Sequence, residues 1–291
     1  MIYVKLLLTA IFWGGTFIAA RAIAESVDPL SAAFLRFAVA SVLLFPLAWR
    51  EEGRLPLIRR EQILPLFLAG ITGAFAYNLC FLNGLRFITA GRASLIIAMN
   101  PVFIGLLASL FFKDRLDWAR GTGILLSVFG AMIVISKGNP ATLVSDGLGR
   151  GELLILGCVL SWASFSLIGK ILVKGLSPLV SVFFSSLFGA AALFVPAFLG
   201  DKLQEVRSYT LVDWTSILFL GIFGTVLGFV WYYEGIRRIG PAKAGQFINF
   251  VPISAVLLAF LILGEPISWS LLTGGLLVIS GVYLTNSRFR G

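Results

Sequence analysis

Ten apolar runs, each close to the length that crosses a bilayer, occupy nearly the whole of this chain: about 3 to 24, 29 to 49, 63 to 85, 90 to 112, 119 to 136, 151 to 173, 178 to 199, 214 to 236, 242 to 263 and 267 to 286. A transmembrane helix needs roughly 20 predominantly apolar residues. Hydrocarbon offers the backbone no hydrogen-bond partner, so segments buried in it must close their hydrogen bonds internally, as helices do. Charge agrees with this placement, because only 13% of the residues are charged against roughly 25% in soluble domains. The loops are short and leave no room for a soluble domain, a linker or a low-complexity tract.

The chain also contains itself twice. Gly84, Arg86, Ala93, Pro101, Leu106, Leu107, Trp118, Gly123 and Gly130 recur 151 positions later as Gly235, Arg237, Ala244, Pro252, Leu257, Leu258, Trp269, Gly274 and Gly281. Nearer the N-terminus the offset is 149, carrying Trp13 to Trp162 and Pro29 to Pro178. The difference therefore falls between the second and third runs. Each copy holds five runs, an odd number, so the second copy enters the membrane from the opposite side. The expected fold is all-α and integral to the membrane: ten transmembrane helices as two inverted five-helix repeats, residues 1–138 and 148–291, in one membrane domain. Duplicated apolar units are the signature of many secondary transporters, which place their substrate near the midplane where the copies meet.

A net charge of +9 would suggest nucleic acid in a soluble protein. Here it is read through its distribution. Most Lys and Arg, including Arg50, Arg54, Arg59, Arg60, Lys113, Arg115, Arg120, Arg237 and Arg238, flank the runs on the side of the N-terminus. Only Arg21, Arg86, Arg92, Lys137, Arg150, Lys202 and Arg207 flank them on the other. The positive-inside rule then puts both termini in the cytoplasm of a multi-pass protein of the cell (inner) membrane, with no nucleic-acid partner. The small residues Ala19 to Ala24 mimic a signal cleavage site, but Trp13 has its repeat partner deep in the chain, so the first run is expected to stay. There is no histidine, and Cys80 and Cys158 lie inside apolar runs. That excludes a Ser-His-Asp triad and a His/Cys metal site. No metal, no cofactor and no enzymatic cluster of acid, base and nucleophile is expected.

Candidate binding residues come from polar and aromatic groups inside the runs. Trp13 and Trp162 lie well within spans, where an indole N–H needs a partner. Phe81 and Tyr232 are aligned by the repeat, with Tyr77 one turn before Phe81 and Trp231 beside Tyr232. Asn78, Asn83, Asn100, Gln246 and Asn249 have no reason to face lipid. Pro101 and Pro252 match across the copies near the middle of the fourth and ninth spans. Each would remove a backbone hydrogen bond and free a carbonyl, which makes them candidate hinges. Arg36 sits inside the second span with no adjacent acid, so it must pair elsewhere, bind a carbonyl or snorkel. Glu234 precedes Arg237 and Arg238 by helical spacing, which favours a local ion pair. Arg92 and Lys243 match one another and could guard opposite entrances or anchor topology. Gly-rich faces on spans five and ten permit a homodimer.

The order of these residues resembles the EamA-type branch of the drug/metabolite transporter superfamily. The resemblance is carried by Trp13-Gly14-Gly15-Thr16-Phe17, Phe34-Leu35-Arg36-Phe37 and Ala90 through Pro101 leading to Asp114, then by Trp162-Ala163-Ser164-Phe165, Pro241-Ala242-Lys243-Ala244 through Pro252, and Glu265-Pro266. It covers the whole chain. It implies ten helices with cytoplasmic termini, a central cavity lined mainly by spans 1, 3, 4, 6, 8 and 9, alternating access, and small metabolites as substrates, often exported amino acids. The second copy departs from the first in having Ser185 in place of Arg36 and Ala163 in place of Gly14. The expected activity is export or facilitated diffusion of amino acids or similar small solutes. Trp13, Tyr77, Phe81, Trp162, Trp231 and Tyr232 would form apolar walls, and Asn78, Asn100, Gln246 and Asn249 would orient polar groups. The alternatives are an exchanger of phosphorylated or nucleotide-linked metabolites using Arg36, Arg92 and Lys243, an integral-membrane enzyme, or a channel.

Overall fold

The computed structural model of the chain describes residues 1–53, 57–100, 102–104, 107, 118–139, 148–239, 244–245 and 247–286. Among these there is no strand. The helices are α1 (Ile2–Ala22), α2 (Pro29–Glu52), α3 (Arg60–Ala69) running through a π-helical segment π1 (Gly70–Ala76) into α4 (Tyr77–Gly84), then α5 (Ala90–Ile97), α6 (Trp118–Ile135), α7 (Arg150–Leu172) and α8 (Pro178–Leu199). A short 3₁₀ turn (Gln204–Ser208) leads to α9 (Leu211–Phe219), which continues through π2 (Leu220–Leu227) into α10 (Gly228–Ile239). A second 3₁₀ turn (Phe247–Asn249), α11 (Phe250–Leu263) and α12 (Trp269–Asn286) follow. Six helices are long and apolar enough to cross a membrane by themselves: Ile2–Ala22, Pro29–Glu52, Arg60–Gly84, Arg150–Leu172, Pro178–Leu199 and Leu211–Ile239. Shorter apolar helices make up the rest of the described bundle.

Local sequence explains where the helices start. Asp28 caps α2, accepting the Leu30 N–H at 2.9 Å, with Pro29 in the first position where its missing N–H is harmless. Ser177 and Pro178 repeat that device on α8. The helices α3 and α9 each start with a side chain that returns to its own cap residue. Gln62 accepts the Arg59 N–H at 2.9 Å, and Asp213 accepts the Thr210 N–H at 2.8 Å.

Both π segments sit at equivalent places, since Gly70–Ala76 advanced by 151 is 221–227, inside Leu220–Leu227. Packing is matched in the same way. α2 lies against π2 and α8 against π1, α1 against α10 and α7 against α4, α1 against α11 and α7 against α5.

Lipid supplies no hydrophobic drive between helices, so small residues must let backbones approach. A Cβ on Gly130 would fall 2.6 Å from the Gly274 carbonyl oxygen, and one on Gly281 would fall 2.5 Å from that of Gly123. The glycine faces of the helices holding them, α6 and α12, are thus engaged with each other inside the chain.

Candidate functional site

A cavity opens among these helices, with about 420 Å³ of empty space when open solvent beyond its mouth is included. α1 contributes Trp13, Thr16 and Phe17 to its wall, α2 contributes Arg36 and α4 contributes Tyr77. Ile97 and Asn100 come from the fourth apolar run, Trp162 from α7, Phe229 from α10, and Ile248 and Val251 from the ninth run. α2 therefore joins the walls that the family resemblance implies for spans 1, 3, 4, 6, 8 and 9.

The two tryptophans meet edge to face, with ring centroids 5.2 Å apart at 82°. Trp162 also packs on Tyr77 at 5.5 Å and on Phe229 at 5.4 Å. The Trp13 indole finds its partner across the molecule, donating its N–H to the Gly224 carbonyl in π2 at 3.0 Å. The Trp162 indole N–H is buried without a hydrogen-bond partner among the described residues, as is the Asn100 Oδ1.

Arg36 is 3% exposed. It does not snorkel. Its Nε donates to the Thr225 hydroxyl at 2.9 Å and its Nη1 to Asn78 Oδ1 at 2.8 Å. Both acceptors are themselves anchored to π-helical backbone. Thr225 donates to the Leu220 carbonyl at 3.1 Å, and the Asn78 amide donates to the Ala74 and Gly73 carbonyls at 2.8 and 3.3 Å. Among the described residues no carboxylate pairs with the guanidinium, so a full positive charge stands in the wall held by neutral groups.

Trp13, Tyr77, Asn100, Trp162 and Arg36 are brought together in the cavity wall. Asn78 stands behind it as the acceptor that positions Arg36. Phe81 stacks behind Tyr77 at 5.7 Å, and Tyr232 packs behind Trp13 at 5.3 Å. Trp231 lies away from the cavity, 6.0 Å from Phe12, and Lys5 sits over its ring at 5.8 Å. Asn249 is half-buried and outside the wall, in the 3₁₀ turn before α11.

Pro252 lies in the first turn of α11, where an N–H is unbonded anyway. The expected freed carbonyl in mid-helix is therefore replaced by a restart of the helix. Pro101, Lys243 and Gln246 lie outside the described residues.

Glu234 and Arg92, the described charged candidates other than Arg36, form links at the ends of the bundle. Glu234 pairs with Lys5 at 2.7 Å, where α10 ends and α1 begins. The expected local pair with Arg237 or Arg238 gives way because Lys5 reaches across from a neighbouring helix into a half-buried position. Arg92 pairs with Glu152 at 2.9 Å and also donates to the Ile135 carbonyl, where α5 and α7 begin. It is held in structure and is not a free cation. At the same end Glu265 accepts the backbone N–H groups of Ala90 and Gly91 at 2.9 and 3.1 Å, an anion on the α5 N-terminus.

Sequence reading missed Thr16, Phe17, Ile97, Phe229, Ile248 and Val251 in the wall, and Thr225 behind it. Ile97 and Ile248 were detectable as repeat partners, as were Asn100 and Val251. A lone threonine in an apolar run carried no signal.

The profile of the EamA-like transporter family matches this chain twice, over residues 1–136 and 149–287. The uncharacterized transporter YetK of Bacillus subtilis (strain 168) is 30% identical over 291 residues, covering 97% of this chain and 86% of that protein. YyaM of the same organism, also an uncharacterized transporter, is 29% identical over 289 residues, with 99% and 94% covered. A probable terminal-alkyne amino-acid exporter of Streptantibioticus cattleyicolor is 29% identical over 287 residues, with 98% and 93% covered. A solved crystal structure shares the fold at a TM-score of 0.67 and 19% identity, covering 96% of each chain. The chain belongs to the EamA-like transporter family of the drug/metabolite transporter superfamily and is a multi-pass membrane transporter.

Proposed function

We propose that the protein exports, or facilitates the diffusion of, amino acids or similar small metabolites by alternating access. In this reading ten spans form two inverted five-helix repeats, residues 1–138 and 148–291, with both termini cytoplasmic in the inner membrane. One observation carries it: the cavity is lined by residues that the repeat relates, Trp13 with Trp162, Ile97 with Ile248 and Asn100 with Val251. A site made by both copies changes its exposure when one copy rocks against the other. The paired π segments, the reciprocal glycine crossing of α6 and α12 and the double family match support the duplication. Aromatic walls with one guanidinium and two unpaired polar atoms suit a small solute with an apolar side chain. The relative named as an amino-acid exporter points the same way. Exchange of phosphorylated metabolites has less support, since among the described residues the wall holds one guanidinium and Arg92 is committed to Glu152.

The test is uptake of radiolabelled neutral amino acids into liposomes holding purified protein, without an ion gradient and then with a pH gradient. Saturable flux that falls roughly tenfold or more in Trp162→Ala is expected, since the variant empties one wall of the site. Flux absent under both conditions, or unchanged in the variant, would overturn the reading.

A further inference from the structure

The cavity is symmetric in shape and asymmetric in polarity. Thr16, Arg36, Tyr77 and Asn100 all belong to the first half, and the repeat places Phe165, Ser185, Gly228 and Val251 at the equivalent positions. Asn78, the acceptor that holds Arg36, has Phe229 as its counterpart, and Phe229 itself lines the cavity. Apart from the Trp162 indole N–H, the polar groups of the wall thus come from the first half, and the second half contributes aromatic and aliphatic side chains.

Resting on the amino-acid reading above, we infer that the cavity binds an α-amino acid in a single orientation: carboxylate at Arg36, ammonium at Asn100 Oδ1 and side chain against Phe229 and Val251. Three observations converge. A buried cation without an anionic partner is unfavourable by itself, and a bound carboxylate relieves it. Thr225 and Asn78 fix Nε and Nη1, which holds the planar guanidinium in one attitude. Of the buried polar atoms without partners, two belong to the cavity wall: one donor, the Trp162 indole N–H, and one acceptor, the Asn100 Oδ1. A carboxylate takes the donor together with the guanidinium, and an ammonium takes the acceptor. A phosphate monoester would leave a second negative charge unmatched. A plain carboxylic acid would leave the Asn100 oxygen buried and unpaired, and an amino-acid amide would leave the guanidinium without its counter-ion.

The experiment compares three solutes in liposomes carrying the full chain: L-phenylalanine, its amide and 3-phenylpropanoate. The wild-type protein is expected to take L-phenylalanine roughly tenfold or more in preference to either analogue, the scale of one hydrogen bond to a charged group. Arg36→Gln is expected to lose the preference over the amide and keep that over 3-phenylpropanoate. Asn100→Val, which installs the residue of the equivalent position, is expected to do the reverse. Should Arg36→Gln fail to fold, Arg36→Lys keeps the charge without the fork and is expected to retain a reduced preference over the amide. Equal handling of all three solutes by the wild-type protein would overturn the orientation and leave the carrier reading intact. An undiminished preference over the amide in Arg36→Gln would do the same. Transport of none of the three would overturn both.

Discussion

Arg36 and Trp13 show how single residues decide this site. A cation in the middle of a span was legible as an anomaly, and so was an indole far from the interfacial belt. Their partners were not, because hydrogen bonds to Thr225 and to the Gly224 carbonyl join residues about two-thirds of the chain apart. The Arg36 bond to Asn78 is buried. Asn78→Leu removes one acceptor from the buried guanidinium and is expected to lower stability by about 1.5–3 kcal/mol, read from unfolding in detergent micelles. The double variant Arg36→Leu/Asn78→Leu is expected to lose less than the two single changes summed, since it no longer strands a charge; strict additivity would refute the coupling. Trp13→Phe keeps the ring and loses the bond, and a loss of about 0.5–1.5 kcal/mol is expected by the same measurement.

Among the elements, the π segments carry the most weight. A π turn contains one more residue than an α turn, shifts the register beyond it and often accompanies functional sites. π1 and π2 anchor the two acceptors of Arg36 through the Gly73 and Ala74 carbonyls and the Leu220 carbonyl. Hydropathy could place the helices but not this register, since the same apolar residues serve either turn. The glycines of these segments allow the neighbouring helices to touch. A Cβ on Gly70 would lie 2.7 Å from the Ser185 carbonyl oxygen and 2.8 Å from the Gly189 nitrogen. On Gly221 it would meet the Arg36 carbonyl oxygen and Val39 at 3.1 Å. Backbone faces both positions and stands closer at Gly70, below any normal Cβ contact, so Gly70→Ala is expected to destabilise the protein more than Gly221→Ala. Thermal unfolding of both variants in micelles checks the order, and the reverse order would contradict this packing.

Across the whole molecule, ionic links close both ends of the bundle. Arg92 with Glu152 joins α5 to α7 at one end, and Lys5 with Glu234 joins α1 to α10 at the other. The proposed alternating access requires each end to part in turn. Glu152→Gln removes the charge of the more buried link, and Glu234→Gln that of the half-buried one. Each is expected to raise labelling of a cavity cysteine by an impermeant maleimide from its own side of the membrane, in a chain first cleared of Cys80 and Cys158. Labelling that rises from the same side in both variants would show that the links are not gates.

Sequence alone determined that the chain lives in lipid, that it is helical, which residues recur at a fixed offset, and which aromatic pair and which lone cation are out of place. These properties follow from hydropathy, period and offset, all of which are local or translational. Tertiary structure decided who meets whom. It placed Asn78 behind the wall, sent Glu234 to Lys5 and Arg92 to Glu152, moved Trp231 and Asn249 away from the cavity, and turned the Pro252 kink into a helix start. It also drew most of the polar groups of the cavity wall from the first half of the chain. Those outcomes depend on helix rotation and register, which packing of small residues and two π turns set, and neither is written in the spacing of apolar residues.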